Sequence, residues 1–250
     1  MKPSLETRDL TIRFGGHTAV DGVTSSFHPG ELTALVGPNG AGKTTFFNLI
    51  SGQLRAASGS VLLNGRDVTG LDAPRRARLG IGRAFQLTNL FAGLSVEENL
   101  RLAVQAQAGV HYDMIRRWRS HAELIEGAAH ALSRVGLTGR ARDPVAALSH
   151  GDQRKLEVAL MIALEPQVMM FDEPTAGMSV DEAPRVLDLI AELKQDKSRT
   201  ILLVEHKMDV VRSLADRIVV LHNGRLAADG PPEEVIASAV VREAYLGAAA

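Results

Sequence analysis

The chain of 250 residues contains no cysteine, which excludes thiolate nucleophiles, disulfide staples and every cysteine-ligated zinc or iron–sulfur centre. Aromatic residues make up only 4% of it, so the core must be built mainly from aliphatic side chains. Long apolar runs are also missing. The longest is VALMIAL at 158–164, far below the roughly 18 residues a membrane-spanning helix needs. The first ten residues, MKPSLETRDL, lack the apolar stretch and small-residue cleavage site of a signal peptide, and a cytoplasmic chain is expected. Neither sign of charge dominates. With 28 Lys and Arg against 29 Asp and Glu, the formal balance is −1. No whole-molecule field would draw nucleic acid or anionic lipid to it, so nucleic acid is not an expected partner and any phosphate-bearing ligand must be held by a local site.

What is present is enough for a folded domain. A chain this long buries about three quarters of its unfolded surface without staples. Val-, Leu- and Ile-rich runs at LTALVG (32–37), SVLLNG (60–65), VMMFDE (168–173), TILLVEH (200–206) and RIVVLHNG (217–224) predict strands. Helical patterns lie between most of them, the alternation of an α/β domain with a mainly parallel core sheet. Glycine- and asparagine-rich turns at Phe14-Gly15-Gly16, His28-Pro29-Gly30 and Asn64-Gly65 predict an antiparallel β part near the N-terminus. Residues 95–137 carry no convincing strand, but Ile125, Ala129, Leu132 and Gly136, with Ala128 and Val135 beside them, recur at helical spacing and predict a helical insert. Further helices are predicted over Asp181–Leu193 and Lys207–Leu214, and from Pro231-Pro232 onward, where proline suits a first turn.

One motif sets the chemistry. Gly37-Pro38-Asn39-Gly40-Ala41-Gly42-Lys43-Thr44 fits GxxxxGK[ST] without a mismatch, follows the LTALV strand and opens a helical run at Thr45. Glycines let successive amides converge on phosphate oxygens, the helix N-terminus favours the negative charge, and Lys43 places an ammonium at the β and γ phosphates. Thr44 would ligate Mg²⁺. The strand Val168–Phe171 ends in Asp172 and Glu173, which puts one carboxylate where it could hold that metal and a second where it could polarise an attacking water.

Leu148-Ser149-His150-Gly151-Asp152-Gln153, upstream of the acidic strand, resembles the LSGGQ signature of ABC-type ATPases. The rest of that family's set follows in order. Gln86 in GRAFQLTNLF resembles the Q-loop glutamine near the metal, Asp181 in AGMSVDE the D-loop aspartate, and His206 in LLVEHKMD the switch histidine. Phe14 in IRFGG matches the aromatic position that stacks on adenine. His150 and Asp152 depart from the signature, so only Ser149 and Gly151 are carried over as phosphate contacts, and the SVD of the D-loop lacks the common leucine.

The resemblance implies a single ABC ATPase domain over residues 1–250 that binds ATP and Mg²⁺. Its nucleotide-binding core, with the antiparallel β part, would span about 1–94 and 165–250, and its helical subdomain about 95–164. Glu173, His206 and Gln86 would serve hydrolysis. Two such subunits, identical or related, would pack head to tail, each signature completing the other's ATP site. With no spanning helix of its own, the chain would act peripherally at the cytoplasmic face of the inner membrane on two permease subunits. The apolar residues of Leu87–Ser95 (Leu90, Phe91, Leu94) are the expected docking segment. Within the family, LSHGDQRKLE with DEPTAGMS, the FQLTNLF run, the insert containing Tyr112 and Trp118, and the VREAYLG ending are most similar to ATPase subunits of branched-chain amino acid importers, which also work with a periplasmic binding protein. Urea, aromatic-acid or lipid and export systems of the same fold remain alternatives, and a soluble ABC protein acting on nucleic acid is a more distant one.

Overall fold

The computed structural model describes residues 2–84, 90–109, 122–238 and 241. The chain divides into two compact units, one of Met1–Arg83, Gln167–Glu173 and Lys194–Ala250, the other of Ala84–Pro166 and Pro174–Leu193.

The first unit contains two sheets. In the smaller, β1 (Leu5–Phe14) pairs antiparallel with β2 (His17–Phe27) and with β4 (Ser58–Leu63), which in turn pairs with the two-residue β5 (Arg66–Asp67). The turns fall where glycine and asparagine predict them. Asn64 and Gly65, between β4 and β5, both have left-handed φ, 52° and 80°, which asparagine and glycine tolerate best. SVLLNG, one of the runs read as α/β strands, thus belongs to this antiparallel sheet, in keeping with its position beside a tight turn.

The larger sheet has the order β10-β9-β3-β8-β7-β6. Its centre is β3 (Leu32–Val36), parallel to β8 (Thr200–Val204) and β9 (Arg217–His222), with β7 (Val168–Asp172) parallel to β8. Every residue of β3, β7 and β8 is buried, and both faces of a parallel sheet are covered, so these strands are continuous aliphatic runs rather than alternating ones. The edge strands β6 (Ile81–Ala84) and β10 (Arg225–Gly230) have no such signal. β10 is half exposed and is joined to β9 by Asn223-Gly224, again with both φ values left-handed (49° and 78°).

The helix α1 (Lys43–Ser51) carries Phe46 and Phe47, both fully buried, into a core that also contains Leu35, Met170, Leu202 and Val219 of the large sheet and Leu5, Val20 and Val61 of the small one. Each phenylalanine contributes on the order of 2–3 kcal/mol by burial. Ala34 and Val36 point to the opposite face, where they meet Val211 of α7 (Met208–Leu214) and Val235 of α8 (Pro232–Ala237).

A buried helix must satisfy its last carbonyls. For α1 this is done by Arg76 of α2 (Ala73–Arg78), only 2% exposed, which donates to the carbonyls of Leu49 (2.6 Å), Ile50 (2.7 Å), Thr69 (2.8 Å) and Leu71 (3.0 Å).

The second unit contains α3 (Val96–Gln107), α4 (Ala122–Arg134), α5 (His150–Leu164) and α6 (Ala183–Leu193). A capping box starts α3, with Ser95 and Glu98 bonding each other's backbone. Over α4 and the two residues after it the buried stripe is Ala128, Ala131, Leu132 and Val135, while Ile125, Ala129 and Gly136 of the expected stripe are exposed. The apolar face is thus rotated by part of a turn from the reading at Ile125. From the sequence, residues 165–250 lie with the core, yet Pro174–Leu193 groups with the helical unit, where α6 packs on α5.

Replacing Arg76 with methionine leaves those carbonyls without a donor. It should lower unfolding free energy by at least about 2 kcal/mol, measured by urea denaturation, whereas Arg75→Met, on the exposed face of α2, should be near neutral.

Candidate nucleotide site

The strand β3 delivers the chain directly into the glycine-rich loop, and two approaches of backbone to backbone explain the glycines there. Gly37 (φ 151°) and Gly42 (φ 98°) have left-handed φ, and a Cβ added to them would lie 2.1 Å from the Leu221 carbonyl oxygen and 2.3 Å from that of Ala19. Only a residue without Cβ fits at these points. Gly42 is the N-cap of α1 and has no side chain to cap it, so the first amides of the helix are open to an outside acceptor.

A cavity of about 350 Å³ sits over that helix end. It is lined by Phe14, His17 and Ala19 from the β1–β2 hairpin, by Asn39 to Thr45, and by Glu173 and His206. Of the first-unit site residues expected from the sequence, Phe14, Asn39 to Thr45, Glu173 and His206 line this cavity, and Gly37, Pro38 and Asp172 are not among its lining residues. Phe14 is half exposed at the hairpin tip, and its apolar ring faces a place where a flat apolar partner would cover it. His17, directly opposite Phe14 in the strand register, is a further lining residue that no sequence motif marks. Its only signal in the sequence is its position one residue past the Gly15-Gly16 turn.

Lys43 is 6% exposed and donates to the carbonyls of Gly37 (2.7 Å) and Pro38 (3.0 Å). Burial lowers its pKa, opposed by the charges of Glu173 and Asp172. The ammonium is thus held between its own loop and two acids.

Glu173 follows the last residue of β7 and adopts a left-handed φ of 52°, while its N–H still donates to the Val204 carbonyl at 3.0 Å. Such a conformation costs a non-glycine residue on the order of 1–3 kcal/mol and is retained where neighbouring contacts fix it. The turn brings the Glu173 carboxylate to His206, with Oε1 2.8 Å from Nε2. Glu205 supports this pair. Buried at the end of β8, it accepts from the N–H groups of His206 (2.8 Å) and Lys207 (3.3 Å) and so holds the histidine-bearing turn.

Asp172 is 1% exposed. Its Oδ2 accepts from Arg83 Nη2 at 2.6 Å, while its Oδ1 is buried with no hydrogen-bond partner. Burial raises its pKa, and Arg83 counters that shift. Among the described residues no group of three or more His, Asp or Glu side chains could hold a metal alone. A divalent cation here would take phosphate oxygens, Thr44 and the orphaned Asp172 oxygen together, and an unpaired buried carboxylate oxygen at a strand end fits a hard cation.

Gln86 lies outside the described residues, as do Leu87, Thr88 and Asn89 of the docking segment, Tyr112, Trp118 and the tail beyond Val241. Of that segment, Phe91 is 60% exposed and its backbone is held by the buried Asn99, which bonds both its N–H and its carbonyl.

Ser149, Gly151 and Asp181 belong to the second unit. Ser149 is the N-cap of α5, its hydroxyl accepting from the Asp152 N–H at 3.1 Å. A Cβ at Gly151 would lie 2.4 Å from a Glu182 carboxylate oxygen, and the His150 ring is 3.3 Å from the Ala176 carbonyl. Asp181 is exposed in the turn before α6. No helix among the described residues is long and apolar enough to cross a membrane.

A phosphate-binding loop joined to an acid pair and a histidine defines a nucleotide-hydrolysing class of protein, and comparison with known proteins narrows it. The ABC transporter family model matches residues 20–176, and the chain belongs to that family. A model of the branched-chain amino acid ATP-binding cassette transporters matches residues 225–250. The chain is 39% identical over 253 residues to the high-affinity branched-chain amino acid transport ATP-binding protein LivG of Escherichia coli (strain K12), with 99% of each covered. It is 39% identical over 254 residues, again with 99% of each covered, to BraF of Pseudomonas aeruginosa, which has the same description. A crystal structure of an ABC-transporter ATP-binding cassette in its ADP conformation superposes with a TM-score of 0.84 at 28% identity, covering 99% of this chain and 100% of that one. The fold is that of the ABC ATPases, and nucleotide is the ligand of the class.

Gly42→Ala should abolish protection by ATP against thermal unfolding and cost about 1–3 kcal/mol of stability through the strained φ. Melting curves with and without nucleotide test both effects, and full protection of the variant would contradict the close-approach account.

Proposed function

We propose that the chain is the ATP-hydrolysing subunit of an importer of branched-chain amino acids, working as a head-to-tail dimer on two permease subunits at the cytoplasmic face of the inner membrane. The observation that carries this reading is the cavity in which the P-loop, the Glu173–His206 pair and Phe14 meet, in a chain 39% identical to LivG over nearly its whole length.

ATP would enter with its base against Phe14 and its phosphates along the amides of Gly40 to Thr45. Lys43 would exchange its loop carbonyls for β and γ phosphate oxygens, a charge-assisted replacement that strengthens each bond. Magnesium, held by Thr44, Asp172 and Gln86, would neutralise developing charge on the phosphates. Glu173 would orient and deprotonate the attacking water, and His206, already in contact with Glu173, would steady the transferring phosphoryl group. Ser149, Gly151 and the α5 N-terminus of the partner, with Asp181 beside them, would close over the γ-phosphate, so that the dimer persists only while the triphosphate does. Phe91 and Leu94, with the segment around them, would receive the permease.

Reconstitution with branched-chain amino acid permeases and their binding protein tests the reading. Binding protein loaded with leucine, isoleucine or valine should stimulate ATP hydrolysis; stimulation by urea or an aromatic acid instead would reassign the cargo. Glu173→Gln should slow turnover by at least about 10²-fold while retaining ATP binding; unchanged turnover would move the general base elsewhere. Ser149→Arg should block ATP-dependent dimerisation, seen by size-exclusion chromatography, yet leave ATP binding to the single chain intact; lost binding would overturn the shared-site arrangement.

A further inference from the structure

Arg83 is a buried cation that the scheme above does not use. It stands on β6, and its side chain is 6% exposed. Nη2 donates to Asp172 Oδ2 at 2.6 Å, while Nη1 reaches Asn48 Oδ1 (2.5 Å) and Ser51 Oγ (3.2 Å) on α1, and Gln53 Oε1 (3.0 Å) just beyond it. The guanidinium also lies over the ring of Phe47, 5.7 Å from its centroid. One planar group therefore ties the acidic end of β7 to the helix that begins at the phosphate loop.

As a stabilising device this is a poor one. Burying an arginine and an aspartate costs several kcal/mol of desolvation per ion, which their attraction repays only when every remaining polar atom is satisfied. Here Asp172 Oδ1 is not. Apolar residues of similar volume would serve packing as well. The arrangement does, however, occupy one carboxylate oxygen: Oδ2 is held by Nη2 of a guanidinium whose Nη1 is anchored at three acceptors, and Oδ1 is the oxygen left to bind.

We propose that Arg83 is a positioning residue for the divalent cation. It orients Asp172 so that Oδ1 is presented to the metal, and it transmits the position of α1, and hence of the phosphate loop, to that oxygen. The proposal rests on the ATPase reading and adds a residue to it. Arg83 is not among the residues that line the cavity and would act on the cation only through Asp172, so its loss should weaken the cation's contribution without weakening contacts to the nucleotide itself. Partners that orient a metal ligand typically change metal affinity by about 10- to 100-fold.

The test measures ATP binding to the full chain by calorimetry, first in EDTA and then across a Mg²⁺ titration. For Arg83→Met we expect binding in EDTA within about twofold of the parent and a Mg²⁺ midpoint raised about 10- to 100-fold. Arg83→Lys, which restores charge but not the fork, should recover part of the shift. Asn48→Leu, which keeps the ion pair but removes one anchor, should produce a smaller shift of the same sign and keeps the proposal open to refutation if Arg83→Met does not fold. A folded Arg83→Met with the parent's Mg²⁺ midpoint would overturn the proposal. So would equal losses with and without Mg²⁺, the signature of simple packing damage. A parent chain whose ATP binding ignores Mg²⁺ would also overturn the proposal, whereas a parent chain that binds no ATP at all would refute the ATPase reading on which it stands.

Discussion

The first unit is organised around one demand, that a helix buried in the core must have both ends satisfied. α1 lies under the two sheets with Phe46, Phe47, Leu49 and Ile50 all buried. Its C-terminal carbonyls are met inside the protein by Arg76 and by the amide of Gly52, which is left-handed and donates to Asn48. Its N-terminal amides have no such provision, because Gly42 offers no side chain and a Cβ there would collide with the Ala19 carbonyl. The protein completes one end of the helix and leaves the other for a ligand. Unfilled amide donors together with the helix dipole make that end specific for an anion.

Charge follows the same division. A net balance of −1 gives no long-range pull on a triphosphate, and the site does not need one. Lys43 is buried within reach of Glu173 and Asp172, and Arg83 neutralises Asp172 from the far side. At this short range the two cations and two acids cancel, so the amides and the ammonium can hold phosphate without a strongly positive surface that would attract polyanions. The strained φ of Glu173 belongs to this economy as well: the turn that separates it from Asp172 aims adjacent acids at different tasks, one into the protein interior and one to His206.

Much of this was legible in sequence. The aliphatic runs that became β3, β7, β8 and β9 are unmistakable because parallel strands are apolar on both faces, and the P-loop motif specifies its own strand–loop–helix context. Arg83 and Glu205 were not. Each reads as an ordinary charged residue in a strand or at its end, and its importance comes from partners far along the chain or from a local turn that no periodicity reveals. Strand β10 was missed for a related reason: on the sheet edge, half exposed, it carries no apolar pattern. In α4, Ile125 and Ala129 look apolar enough to be core, but burial is set by which face the neighbouring helices cover, and their exposure follows from that tertiary fact alone.

The unusual signature is explained within the second unit. At Gly151 a side chain is excluded, because the Glu182 carboxylate occupies the space where a Cβ would stand. At position 150 there is no such restriction. The His150 ring extends to the Ala176 carbonyl and lies 3.1 Å from the Cβ position of Gly177, so the bulk is accommodated beside a residue that itself has none. Asp152 is compatible for an electrostatic reason: it stands in the first turn of α5, where negative charge is favoured, and is balanced by Lys155 at 2.7 Å. The glycine that must be kept is kept, and the two substitutions fall where the surrounding structure offers a pocket or a counter-charge. Ser149, meanwhile, already spends its acceptor on capping the helix. Its hydroxyl proton is not used by that cap, so the group keeps a donor as well as a second lone pair.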